Sequence, residues 1–329
     1  MQKYPSGSRG SPAKGVVRET VARVQIPPSA PSEYNPNLKP ILIGGAFGLF
    51  LFYYPILSSY IDDFTLLLCY NDYMNIKTAV KYLIITFAIT YACWWGVAAL
   101  VAYTDLVYGD VLPTILYIIG NFGPAISALL CIGGRPYLRS LKEFLFSYKK
   151  HGLWIFLLFV ALVTLTVGLS SMEWNPQMTA LNFMITLLGS TFIYGGEEEL
   201  GWRGILQPIL SKKITFPLAA LACGVIWALW HLPLWFIEGH PNQSMPFWVQ
   251  ATLGIFLCFW LGIIYERSKC LPLCMLFHGF VNVMLSSFVL KLNWILILGI
   301  ILTTAAAIVL WLLDIKRAKT ISNQPTNTK

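Results

Sequence analysis

The stretch "IYGGEEELGWRGIL", residues 193–206, sets three consecutive glutamates, Glu197, Glu198 and Glu199, directly behind an apolar run. Arg203 follows one helical turn later, and apolar residues resume at once. Two readings compete. The charges end a helix at a membrane surface, or they stay within the membrane because chemistry holds them there.

Composition supplies the membrane. The 329 residues are 57% hydrophobic and only 12% charged, with a mean hydropathy of +0.65. Soluble domains carry about 25% charged residues. A helix needs roughly 17–25 apolar residues to cross a bilayer. Runs of that kind stand near 41–60, 83–103, 111–134, 153–171, 180–196, 214–237, 247–265, 271–290 and 292–313. They lack the alternation of a closed barrel, which is the other spanning solution. The expected fold is therefore an all-α polytopic integral membrane protein of eight or nine transmembrane helices, with its active site in a cavity of the helical bundle.

The ends differ from the middle. Residues 1–38 are basic and rich in Pro, Ser and Gly, with neither the apolar core of a signal peptide nor an N-terminal myristoylation glycine. They read as a disordered tail. Residues 39–110 hold the first membrane segments, 111–314 a core, and 315–329 a cytoplasmic tail. The seven cysteines, Cys69, Cys93, Cys131, Cys223, Cys258, Cys270 and Cys274, lack paired metal-ligand spacing and read as small core hydrophobes.

The net charge of +8 is distributed as a membrane topology signal and does not call for nucleic acid. "GGRPYLRSLKEFLFSYKKHG", the turn with Lys212 and Lys213, "ERSK", and the tail with Lys316, Arg317 and Lys319 fall on alternate connections. The connections between them, "SMEWNPQ" and "EGHPNQSMP", hold no Lys or Arg. The positive-inside rule then places the C-terminus of this integral membrane protein in the cytoplasm; if the source is prokaryotic, the membrane is the cell membrane. Residues 135–150 read as a basic amphipathic segment on the inner surface, and 60–73 as a candidate interfacial segment.

An ionisable residue within a span costs about 2.5–3.5 kcal/mol on insertion scales, so it usually faces a partner or a cavity. Between residues 152 and 313 the candidate spans contain few: the Glu197–Glu199 run with Arg203, then His231 in "VIWALWHLPLW" and His278 in "MLFHGFVNVML". The turn near residue 214 makes a hairpin of the first two segments. Glu198 and His231 then lie at equal depth, each roughly 20–25 Å from the turn at 1.5 Å per residue. His278 lies shallower in its own span, about 10 Å from its start. His278 and Asn282 share a helix face, as do Trp227 and His231, and Glu199 and Arg203.

Each feature has a plainer reading. Glu199 and Arg203 make an intrahelical ion pair of the favourable polarity. A single histidine or asparagine in a membrane helix often serves as an interhelical hydrogen-bonding group. Their convergence from three helices is what the plainer readings leave unexplained. A carboxylate base, an imidazole and two donors are the parts that hydrolysis of an amide requires.

These residues resemble a known family. "EELGWR", Glu198 to Arg203, is similar to the EExxxR motif of the CPBP family of CAAX proteases and bacteriocin-processing enzymes. "WALWH", Trp227 to His231, resembles its second motif and "HGFVN", His278 to Asn282, its third, HxxxN; "NFGPAISALL" resembles a stretch that precedes the family core. The similarity spans residues 111–314. It implies an intramembrane endopeptidase like the type II CAAX prenyl endopeptidase, acting on a peptide or lipidated-protein substrate among membrane lipids. Glu198 would activate water with help from His231, and His278 and Asn282 would hold the oxyanion. Glu199, Arg203 and Trp227 would support them, and Glu197 would be dispensable. No cofactor is expected, because HExxH is absent, although Glu198, His231 and His278 are a conceivable zinc set. Two other functions are open: an ion- or proton-coupled transporter, and a non-catalytic immunity or scaffold protein.

Overall fold

The computed structural model describes residues 74–132, 152–170, 173–289 and 293–322, with positions 142 and 145. All of them fall in the compact unit Ser58–Lys329; the other unit, Met1–Leu57, lies outside the described residues. So do the expected tail 1–38, the candidate span 41–60, the segment 60–73, and residues 135–150 apart from those two positions.

Helix α1, Ile76–Tyr103, begins where the Asn75 side chain accepts the Thr78 N–H at 3.1 Å. Such a cap satisfies one of the orphan donors of a first turn. Helices α2 (Val111–Asn121) and α3 (Gly123–Cys131) form a pair bent by 41° at Phe122. Pro124 opens α3, where its missing N–H costs nothing. Helix α4 spans Gly152–Leu169 and α5 spans Ala180–Phe192, the latter capped by the Thr179 side chain.

The glutamate segment is not a straight continuation of α5. The chain breaks at Ile193–Gly195, with Gly195 at φ 144°, and restarts as a composite helix, here α6. It runs as a 3-10 turn (Gly196–Glu198), an α turn (Glu199–Gly201), a π segment (Trp202–Leu206) and a last α turn (Gln207–Ser211). Single π turns inside helices occur mostly at functional sites. The helix leading to the turn near residue 214 is present, but as a second helix re-aimed by the break.

Helix α7, Phe216–Trp230, ends at His231 and continues as the 3-10 turn Leu232–Phe236. Helix α8 (Phe247–Ser268) stops at Lys269, whose φ of 51° is left-handed. Helices α9 (Leu271–Ser287) and α10 (Trp294–Ser322) complete the bundle. Two short strands, β1 (Glu173–Trp174) and β2 (Phe288–Val289), pair antiparallel and tie the connection before α5 to that after α9.

Helix α7 packs on α8, α5 on α9, α1 on α2 and α3, and α10 on α4 and α8. Lipid gives little hydrophobic drive for helix association, so close packing and interhelical hydrogen bonds carry it. Gly224 lets α7 approach α8 so nearly that a Cβ there would lie 2.8 Å from the Ile255 Cα. Thr90 of α1 donates to the Gly120 carbonyl at 2.7 Å and accepts from Trp230 Nε1 at 2.8 Å, joining three elements through one hydroxyl. The interior is aromatic, with Trp94, Trp202, Trp230, Phe159 and Phe277 fully buried. Leu181, Ile185, Leu188, Ile297, Leu298 and Ile301 point outward. An apolar exterior of this kind is solvated by hydrocarbon.

Among the described residues five helices are long and apolar enough to span a membrane, and six if the bent pair is one span. Helix α9, at 17 residues, is a shorter apolar helix, and α5 has only 13. The chain is thus all-helical and integral to a membrane, while the count of eight or nine spans is not reached among these residues. Breaking the glutamate segment at Gly195 removes one expected full-length span. Of the described cysteines, five are buried free thiols and Cys93 is half-buried.

Candidate active site

Glu198 stands on the first turn of α6, 3% exposed. Its Oε2 accepts two indole N–H groups, from Trp227 at 2.6 Å and from Trp202 at 3.2 Å. Trp202 lies four residues on in the same helix, whereas Trp227 reaches across from α7. Both bonds end on one oxygen, which leaves Oε1 without a hydrogen bond among the described residues. A buried carboxylate would otherwise go uncompensated, at a cost of several kcal/mol.

His231, at the end of α7, is half-buried among indoles: ring centroids lie 4.6 Å from Trp230 and 5.1 Å from Trp227. Its Nδ1 lies 2.9 Å from the Trp227 carbonyl oxygen. A carbonyl only accepts, so Nδ1 carries the proton and, in the neutral ring, Nε2 presents a lone pair.

His278 of α9 is held differently. Its Nδ1 meets Glu199 Oε1 at 2.8 Å, and Glu199 Oε2 lies 3.1 Å from Arg203 Nε. Glu199 and Arg203 are both fully buried, so Glu199 joins Arg203 to His278 in one chain of polar contacts that reaches the cavity only at His278. The Arg203 guanidinium also lies 5.9 Å from the Trp227 ring centroid. Asn282, one turn beyond His278, donates through Nδ2 to the Tyr194 carbonyl at 3.3 Å.

Glu198, His231, His278 and Asn282 line one cavity of about 410 Å³. The three sequence segments thus meet at a single wall, as the hairpin spacing requires. His278 reaches it despite its shallower register. Trp227 touches Glu198, His231, His278 and Arg203, more than its sequence position reveals. Away from the polar wall, α4, α8 and α10 line the cavity with Val163, Val167, Leu257, Leu296 and Ile300.

Glu197, expected to be dispensable, is held on both carboxylate oxygens. It is 2% exposed and accepts from the Gly195 N–H at 2.9 Å and from Asn121 Nδ2. Asn121, Tyr194, Gly195 and Trp202 were not singled out by the sequence. Asn121 is a polar residue inside an apolar run, the signal that also marks Asn282, and α1 contributes Trp94 to the wall behind His231. Among the described residues, no three His, Cys, Asp or Glu side chains gather as a metal-ligand group, and the conceivable zinc set Glu198, His231 and His278 does not form one.

Residues 179–284 match the family described as type II CAAX prenyl endopeptidase Rce1-like. These residues contain α5 to α9 up to its last turn, and with them Glu198, His231, His278 and Asn282. This part of the chain is thus similar to the type II CAAX prenyl endopeptidases. A curated relative, CAAX prenyl protease 2 of Methanococcus maripaludis, is 25% identical over 261 residues, covering 70% of this chain and 92% of the relative. That alignment is longer than the Rce1-like match, so the similarity extends into the flanking helices.

Proposed function

We propose that the protein is an intramembrane endopeptidase that cleaves a peptide bond near a lipidated, CAAX-type C-terminus, using water activated by Glu198. The observation that carries this reading is the buried Glu198 carboxylate, pinned through Oε2 and facing a cavity it shares with two differently held imidazoles and an amide. Oε1 accepts a proton from water while the neutral His231 Nε2 accepts a hydrogen bond from the same molecule. The water oxygen bonds to the carbonyl carbon, and the carbonyl π electrons move onto oxygen. The Asn282 amide donates to that oxyanion. So does His278 Nε2, which is a donor only in the imidazolium form, since Nδ1 already donates to Glu199. The buried Glu199 carboxylate, shared between that ring and Arg203, favours this form of the ring. When the carbonyl re-forms, the C–N bond breaks and Glu198 returns its proton to the leaving amine. Preorganised donors of this kind act without reorganisation at the moment of reaction.

We read the reaction as metal-free, supported by the lack of a gathered three-residue ligand group among the described residues; the free Nε2 of each imidazole is equally suited to holding an ion, so chelation is part of the test. The apolar end of the cavity suits a lipid chain beside the peptide. The alternating basic connections favour a cytoplasmic C-terminus.

The test is cleavage of a farnesylated CAAX reporter peptide by purified protein, beside its unprenylated counterpart, with Glu198→Gln and His231→Ala variants. Cleavage is expected to require both residues and to survive chelation. Activity in both variants sinks the site assignment, and loss on chelation with recovery on added zinc sinks the metal-free mechanism. The transporter reading instead requires Glu198-dependent, pH-gradient-driven flux, and the non-catalytic reading requires alanine at Glu198 to be silent.

A further inference from the structure

The break at residues 193–195 is fastened from three sides. The Ile193 carbonyl accepts from Asn121 Nδ2 at 2.7 Å, the Gly195 N–H donates to Glu197 Oε2 at 2.9 Å, and the Tyr194 carbonyl accepts from Asn282 Nδ2 at 3.3 Å. Asn121 and Glu197 are themselves hydrogen-bonded, and they are 4% and 2% exposed. The break also lies against the donor pair. A Cβ on Gly195 would come 2.7 Å from Asn282 Nδ2 and 3.0 Å from His278 Nε2.

Two links follow from this arrangement. The Asn282 amide has two N–H groups, and the Tyr194 carbonyl takes one, which orients the other. The Tyr194 carbonyl is in turn placed by the two residues around it, Ile193 and Gly195, whose polar groups are held by Asn121 and Glu197. Glu197 is absent from the cavity wall, so it acts through this turn and not on a reacting atom; Asn121 does line the wall, but its Nδ2 is occupied by the Ile193 carbonyl and Glu197.

We infer that Glu197 and Asn121 are positioning residues for the oxyanion donors, fixing the Tyr194–Gly195 turn that orients Asn282 and packs against His278. The inference rests on the peptidase reading above. A carboxylate is the group the turn requires, because it accepts from two donors at once. Glutamine retains one acceptor oxygen and presents an NH₂ to the other donor, so Glu197→Gln breaks one of the two bonds at nearly constant volume. In a turn already bent to φ 144°, that release moves the Tyr194 carbonyl and with it Asn282.

The test is steady-state cleavage of the farnesylated CAAX reporter peptide by wild type, Glu197→Gln, Asn121→Ala and the double variant. Binding of a peptide aldehyde, whose hydrate has the tetrahedral geometry of the intermediate, is measured alongside. Losing one oxyanion donor costs about 10²–10³ in rate, so displacing one is expected to lower kcat about 10- to 100-fold. KM is expected to stay within about twofold, because only a transition-state interaction is lost. Aldehyde affinity falls by the same factor as kcat, and the double variant is no worse than the weaker single one. If Glu197→Gln does not purify as folded protein, Asn121→Ala decides alone. Wild-type kcat in the folded variants overturns the inference. So does a reduced number of aldehyde-binding sites with unchanged turnover per site, since that is a structural role alone. Wild-type protein that does not cleave the reporter overturns the peptidase reading itself, and a Glu198→Gln enzyme that cleaves normally overturns the site assignment; an inert Glu198→Gln beside a fully active Glu197→Gln overturns only this inference.

Discussion

Trp227 Nε1 donates to Glu198 Oε2 at 2.6 Å, while the carbonyl of the same tryptophan takes the His231 Nδ1 proton at 2.9 Å. One residue therefore sets both the free oxygen of the carboxylate and the tautomer of the imidazole. The spacing of four that puts Trp227 and His231 on one helix face also turns the tryptophan carbonyl towards the ring. Trp227→Phe keeps the aromatic packing and the carbonyl but deletes the indole donor. A hydrogen bond to a charged group contributes about 1.5–3 kcal/mol, so kcat is expected to fall about 10- to 100-fold. Kinetics on the reporter peptide check this, with Trp202→Phe expected to be milder because its bond is longer, 3.2 Å. Equal effects of the two substitutions would show that the cross-helix bond has no special role.

Among the described residues, Glu199 is the only carboxylate in contact with both His278 and Arg203. Its removal strands a guanidinium that has no route to solvent. Breaking a buried pair from one side costs about 3–5 kcal/mol, so Glu199→Ala is expected to lower thermal stability in detergent markedly. Glu199→Ala combined with Arg203→Met removes the stranded charge and is expected to recover most of that stability. Activity is not expected to return, because His278 still lacks its acceptor. Recovery of both together would mean that the ionic chain is structural only.

Gly195 tests the donor pair sterically. Its φ of 144° is unfavourable for an L side chain, and a methyl group would fill the space in front of Asn282 Nδ2 and His278 Nε2. Gly195→Ala is expected to lose about 10²-fold or more in kcat, the range for loss of an oxyanion donor. Gly168, whose Cβ would meet nothing within 4 Å, supplies the control. Gly168→Ala is expected to keep wild-type turnover and melting temperature.

Much of this site is legible in the sequence. Intramembrane charge is expensive, so Glu198, His231 and His278 stand out, and helical spacing puts Asn282 and Arg203 on the right faces. What stays hidden depends on chain direction. Periodicity shows which residues share a face, but not that α5 stops at Phe192 and α6 restarts after Gly195. Nor does it show that the carbonyls and N–H groups around Gly195 are fastened by Asn121 and Glu197. Adjacent positions on a helix point in different directions, and only tertiary packing reveals what each of the three glutamates meets. Here Glu197 meets Asn121 of α2, Glu198 meets Trp227 of α7, and Glu199 meets His278 of α9.

His240 lies outside the spanning helices, in the connection between α7 and α8, and links pH to stability. It is 5% exposed, and its Nδ1 accepts the Asn242 N–H at 3.1 Å, so the neutral ring carries its proton on Nε2. Its ring centroid lies 4.9 Å from that of Tyr108 and 5.4 Å from that of Tyr117. Burial pulls its pKa down from 6.5 to about 4. Between those values the unfolded chain binds more protons than the folded one, so this contribution is complete above pH 6.5 and is lost as pH falls towards 4. At 1.36 kcal/mol per pH unit, the full loss is on the order of 3 kcal/mol. Melting of detergent-solubilised protein is therefore expected to drop between pH 7 and pH 5. His240→Asn keeps a side-chain oxygen able to accept the Asn242 N–H, but it does not titrate. Its melting temperature should be flatter across that window; a slope equal to that of wild type would assign the pH dependence to another group.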